Sequence, residues 1–94
     1  MHMPRPRIPR CVRFDPDVYY FKPRGIPLRD LEEVVLAPDE LEAIKLHDTD
    51  GLDQTAAAEK MHISQPTFAR TLASGQKKVA EALIRGKAIR IERK

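Results

Sequence analysis

Between Leu52 and Leu83 apolar residues recur at helical spacing in two runs separated by a short break, a pattern that predicts two helices joined by a tight turn. The first run, Gln54 to Lys60, follows Asp53, whose carboxylate suits an N-cap, and carries Ala56, Ala57 and Ala58, small enough for a second helix to cross closely. Met61-His62-Ile63 is the turn. Ser64 caps the second helix, and Pro66 falls in its first turn, where a missing N–H costs nothing because that donor has no intrahelical partner. Phe68, Leu72, Val79 and Leu83 then form a stripe predicted to face the core. The opposite face carries Gln65, Thr67, Arg70, Thr71, Ser74, Lys77 and Lys78, with no acid before Glu81, and suits a polyanion.

The same reading extends to both sides of this pair. Pro38 opens an upstream helix with Asp39 and Glu40 against its positive end, Leu41, Ala43, Ile44 and Leu46 as its buried stripe, and Gly51 free to end it in a left-handed conformation. Leu28, Leu31, Val34 and Val35 predict a short amphipathic helix before it. Cys11–Phe14 and Val18–Lys22 are β-prone around the turn signal Asp15-Pro16-Asp17, so a hairpin or a pair of extended segments is expected. Four of the five aromatics lie there and are assigned to the core rather than to base stacking. Gly86 ends the long helix, and Ala88–Glu92 alternates as a short strand that pairs with the Val12 or Tyr19 region. The opening Met1-His2-Met3 is tag-like and carries no functional reading, while the prolines between Pro4 and Arg10 forbid a helix. The expected fold is mainly α: a helix-turn-helix bundle over 28–94, with an extended basic arm and a small β element over 1–27, together one structural domain.

Charge sharpens this picture. Residues 1–29 hold seven Lys/Arg against two Asp, residues 30–50 one Lys against eight acids, and residues 51–94 nine bases against four acids. The basic ends coincide with the arm and the helix pair. Arg5, Arg7 and Arg10 make the arm an electropositive strap suited to a DNA minor groove, with a solubilising tail as the alternative. The acidic middle reads as a solvated face or as a surface for a protein partner.

Sites for covalent or metal chemistry are missing from this pattern. His2, His47 and His62 make no metal set with the single Cys11, which also excludes an intrachain disulfide, and Asp48 and Asp50 read as a turn. There is no glycine-rich phosphate loop, serine elbow or Cys/His nucleophile pairing, and no apolar run approaches membrane-spanning length. A cytoplasmic protein without cofactor, and not an enzyme, is expected.

The segment Leu52–Leu83, with the bracing helix Ala37–His47 and the loop Asp50-Gly51-Leu52 before it, resembles the promoter-reading helix-turn-helix of the fourth conserved region of bacterial sigma factors. Nearly the whole chain is similar to a small uncharacterised prokaryotic family of predicted DNA-binding proteins. The similarity lies in the basic Pro-Arg opening, Tyr20-Phe21-Lys22-Pro23, Gly25-Ile26-Pro27-Leu28, Leu31-Glu32-Glu33-Val34-Val35-Leu36, Pro66-Thr67-Phe68 and Gly86-Lys87-Ala88. Two positions depart from the sigma-like pattern. His62 stands where glycine is usual, and histidine tolerates positive φ; Ala56 replaces an acid of the capping box, leaving Asp53 to cap alone.

Carried onto this chain, the resemblance implies base-edge contacts from Gln65, Thr67 and Arg70, since Gln can bond adenine N6/N7 and Arg guanine O6/N7. It implies apolar contact from Pro66 and phosphate contacts from Ser64, Lys77 and Lys78. The leading expectation is a transcriptional regulator that binds double-stranded DNA as a homodimer, the Ser64 helix lying in the major groove. The alternatives are a protein-interaction module touching RNA polymerase through the acidic face 30–50, and an RNA binder using the arm and aromatics.

Overall fold

The computed structural model describes residues 11–94. The element order is β1 (Tyr20–Phe21), β2 (Glu33–Leu36), α1 (Pro38–Ile44), α2 (Gln54–Lys60), α3 (Gln65–Arg85) and β3 (Ala88–Ile91). Three helices therefore stand with a small three-stranded sheet, ordered β1-β3-β2, in which β3 runs parallel to β2 and antiparallel to β1.

Local chemistry sets the helix ends much as the sequence predicts. The Asp53 carboxylate accepts from the Ala56 N–H at 2.8 Å, and the Ser64 hydroxyl accepts from the Thr67 N–H at 3.2 Å. His62 adopts φ 57°, the only positive-φ residue other than glycine among those described. Gly86 ends α3 at φ 68° and lets the Lys87 N–H close on the Ala82 carbonyl at 3.0 Å. At the start of α1, Glu40 reaches back to accept from the Ala37 N–H at 2.8 Å, half of a capping box. Beyond Ile44 the helix widens into a π turn over Lys45–Thr49, whose Asp50 N–H bonds the Lys45 carbonyl at 2.8 Å.

The expected helix over Leu28–Val35 is not there. A single 3-10 turn spans Leu28–Asp30, and Glu33-Val34-Val35-Leu36 is β2, paired residue for residue with Ala88–Ile91. β-branched side chains at Val34, Val35, Ile89 and Ile91 favour this extended pairing over a helix. The hairpin over Cys11–Lys22 is absent as well: Cys11–Phe14 runs extended outside the sheet, and only Tyr20–Phe21 pairs, with Arg90 and Ile89 of β3. Of the two partners expected for the Ala88–Glu92 strand, the Tyr19 region is the one that pairs with it. None of the aromatics Phe14, Tyr19, Tyr20 and Phe21 is buried; Phe68 alone is fully enclosed.

One core cluster holds the helices together: Ala43, Leu46, Ala57, Ala58, Met61, Phe68 and Leu72, with Val12, Ile44, Leu52 and Ile63 packed around it. α3 buries Phe68, Thr71, Leu72, Gly75 and Ala82. The predicted stripe is correct in its first half only, since Val79 is half-buried and Leu83 is exposed. Small residues take the inner positions because α1 and β2 approach too closely for larger ones.

Two carboxylates of the acidic segment turn inward. Glu42 accepts from the backbone N–H groups of Arg13 and Phe14 at 3.1 and 2.8 Å, which fixes this segment to α1. Glu40 binds the Lys78 ammonium at 2.8 Å and the Ser74 hydroxyl, and Lys78 also donates to the Val35 carbonyl at 2.8 Å. Burial pushes the Glu40 carboxyl up, but the bonds from Lys78, Ser74 and Ala37 outweigh it and hold the group below the usual carboxylate range. A depressed folded-state value contributes stability that is complete above the unfolded value near ~4.3 and is lost as pH falls through the folded one. Glu40→Gln is therefore expected to lower stability at pH 7 by about 1–2 kcal/mol, a figure kept small because Lys78 is partly solvated. Thermal melts from pH 7 to pH 3 should show the gap from wild type narrowing below pH ~4; a gap that stays constant contradicts the assignment.

Candidate nucleic-acid interface

The first two turns of α3 meet solvent because the core lies behind them. Phe68 and Leu72 point inward, so residues two positions away on the helix, such as Pro66, Arg70 and Ser74, emerge on the other side. Ser64, Gln65, Pro66 and Arg70 are exposed and Thr67 is half-buried. The Ser64 hydroxyl donates to Thr67 Oγ1 at 2.9 Å, and Arg70 Nη2 donates to the same oxygen at 3.3 Å. This chain of hydroxyls pre-positions the guanidinium along the helix face instead of leaving it to sample every rotamer.

Gln65 is steadied from the other helix. Thr55 Oγ1, on the first turn of α2, donates to Gln65 Oε1 at 3.2 Å, leaving the amide NH₂ outward. Thr55 was not among the residues singled out by sequence, because only the packing of α2 on α3 brings its hydroxyl to Gln65. Together Thr55, Ser64, Gln65, Thr67 and Arg70 form a polar surface with one cationic group, whose hydrogen-bonding side chains suit phosphate and base edges.

Two expected contacts do not belong to it. Thr71 is buried, since it falls on the inward side of the helix next to Leu72. Lys78 is turned toward Glu40 and the Val35 carbonyl and ties α3 to α1 and β2, so its ammonium is engaged within the fold although the side chain is partly solvated. Lys77 remains exposed one turn beyond Ser74. Arg5, Arg7 and Arg10 lie outside the described residues. The chain enters the described fold beside the turn, however, because the Cys11 N–H donates to the Met61 carbonyl at 3.0 Å.

The acidic segment does not form a continuous outward face. Glu40 and Glu42 are buried, Asp50 pairs with Lys45 at 2.7 Å, and Asp48 accepts from Gln76 at 2.9 Å. His47 lies within 2.9 Å of the Leu52 carbonyl through Nδ1 and so helps close the loop before α2. No helix among the described residues is long and apolar enough to cross a membrane.

These features define a small, mostly helical protein whose longest helix offers its N-terminal end to solvent and is braced at its other end by a mixed sheet. The chain belongs to the family described as "Protein of unknown function DUF134", whose model matches residues 1–93. It is 60% identical over 90 residues to a UPF0251 protein of Moorella thermoacetica, covering 96% of this chain and 60% of that relative. A UPF0251 protein of Caldanaerobacter subterraneus is 56% identical over 90 residues, covering 96% of this chain and 76% of its own length. The chain thus spans about 60% of the length of the Moorella protein. No solved structure matches it.

Proposed function

We propose that this chain binds double-stranded DNA and acts as a transcriptional regulator, with α2, the turn Met61–Ser64 and α3 serving as a helix-turn-helix of the sigma-like kind. The observation that carries the reading is the pairing of an exposed Gln65 and Arg70 on the first two turns of a 21-residue helix whose opposite side is locked into the core. An α-helix presented this way has the width of the B-DNA major groove, about 12 Å. Gln65 and Arg70 carry the chemistry that distinguishes adenine and guanine, while Ser64 and Lys77 suit phosphate. The Cys11 N–H bonds the Met61 carbonyl in the turn that joins α2 to α3, and the arginines Arg5, Arg7 and Arg10, which lie outside the described residues, carry the chemistry proposed for a flanking minor groove.

Titration of the protein against labelled duplex DNA across a salt series tests this. Affinity is expected to fall steeply as salt rises, each neutralised phosphate adding roughly −0.9 to the log–log slope. Arg70→Ala is expected to relax sequence preference at one base pair and to cost about 1–3 kcal/mol on the preferred site, while Lys77→Ala weakens all sequences alike. Lys78→Ala is expected to lower the melting temperature and to leave the salt slope unchanged. Binding indifferent to salt would contradict the proposal.

A further inference from the structure

Six large apolar side chains are exposed among the described residues, and their distribution is uneven. Leu83 and Ile84 stand on the last turn of α3, 74% and 84% exposed. Phe21 ends β1 opposite Ile89, and so lies where β3 begins. Leu28 and Ile26 occupy the loop that leads from β1 into β2, where Lys22 donates to the Ile26 carbonyl at 2.8 Å and the Ala88 N–H bonds the Glu32 carbonyl at 2.9 Å. The register thus gathers five of the six at one end of the molecule, with Val18 alone beyond the other end of β1. That apolar end is also the one farthest from Ser64 along α3.

We infer that this end, formed by Phe21, Ile26, Leu28, Leu83 and Ile84, is the contact surface for a second copy of the chain, joined about a two-fold axis; the inference rests on the DNA-binding reading for its geometry. Area supports it: at ~100 Å² for each exposed side chain of this size, the five supply roughly 500 Å² of apolar surface per copy. A stable interface needs about 800 Å² per partner, and the surrounding polar rim makes up the remainder. The rim carries both signs, with Arg24, Arg29 and Arg85 exposed beside Asp30 and the 82%-exposed Glu32, so that a self-complementary arrangement can pair charges rather than oppose them.

Helix length then fixes the DNA spacing. From Ile84 to Thr67 the axis of α3 runs ~25 Å at 1.5 Å per residue. Two such arms joined at their apolar ends place the reading turns one B-DNA repeat apart, about 34–36 Å, when they meet at roughly a right angle, and they fall short of two repeats. The dimer therefore takes half-sites centred one helical turn apart.

Sedimentation velocity over a concentration series, with wild type and the Leu83→Glu/Ile84→Glu variant, is the test. The wild-type chain is expected to sediment as a dimer. The variant, whose changed side chains are already in solvent, is expected to keep its helical circular dichroism and melting temperature while its dimer dissociation constant rises by about a hundredfold or more. A wild-type monomer at every concentration, or a variant that dimerises unchanged, overturns the inference. Duplex titration of the same samples separates this from the functional reading. A dimer that ignores duplex DNA leaves the interface standing and refutes DNA binding; a monomer that binds a single half-site does the reverse.

Discussion

Phe68→Ala is expected to leave the chain largely unfolded at 37 °C. The ring is fully enclosed in the cluster that joins all three helices, whose other members come from α1 and the π turn after it, from α2, from Met61 and from α3. Truncating a buried phenylalanine costs about 3–5 kcal/mol, and the whole stability of a domain this size is on the order of 5–10 kcal/mol. The cavity left behind cannot be filled from the alanines Ala43, Ala57 and Ala58 of the same cluster, and closing it would require Leu46, Met61 and Leu72 to leave their own packing. A thermal melt followed by circular dichroism should show the midpoint falling by on the order of 20 °C or the transition disappearing. A loss under about 1 kcal/mol would mean that Phe68 is not the keystone of the helix pair.

Gly75→Leu is expected to be as damaging, for the opposite reason. A Cβ at this position would meet Ile44 Cδ1 at 3.0 Å, Glu40 Cβ at 3.1 Å and the Glu40 carbonyl oxygen at 3.2 Å. Ile44 can rotate away, but the backbone of α1 cannot without dislodging the carboxylate that binds Lys78 and Ser74. Gly75→Ala pits a gain in helix propensity of about 1 kcal/mol against overpacking of about 1–3 kcal/mol, so a net loss near 1 kcal/mol is expected. Leucine adds three more carbons to the same gap and should exceed 3 kcal/mol. Urea unfolding of the two variants checks the order; a leucine variant as stable as wild type would show that α1 and α3 do not cross here.

What could be read from the chain divides by range. Asp53, His62, Ser64 and Gly86 announce helix ends through chemistry confined to a few neighbouring residues, and the structure places the ends where they say. The sheet could not be read this way. Glu33–Leu36 pairs in parallel with Ala88–Ile91, more than fifty residues later, and within Leu28–Val35 the β-branched pair Val34-Val35 is a weak signal against the helical spacing of the four aliphatics. Along α3 the large aliphatics Val79 and Leu83 looked like core, yet Gly75 and Ala82 are inside because neighbouring elements come close. Thr71 and Lys78 looked like surface for the same reason, since their roles depend on Leu72's side of the helix and on Glu40, and only the crossing of α1 over α3 decides either. The candidate site itself was legible in Ser64, Gln65, Thr67 and Arg70, whereas Thr55 belongs to it only through the packing of α2 on α3.

The central claim is that the solvent face at the start of α3 is the surface that meets DNA. Backbone amide resonances of the uniformly ¹⁵N-labelled chain, followed while duplex DNA is titrated in, test it most directly. The account predicts the largest shifts at Gln65, Thr67 and Arg70, with Thr55 moving through its bond to Gln65 and the buried Ala43 still. Shifts confined to residues 30–50, or none at any DNA concentration, would contradict it.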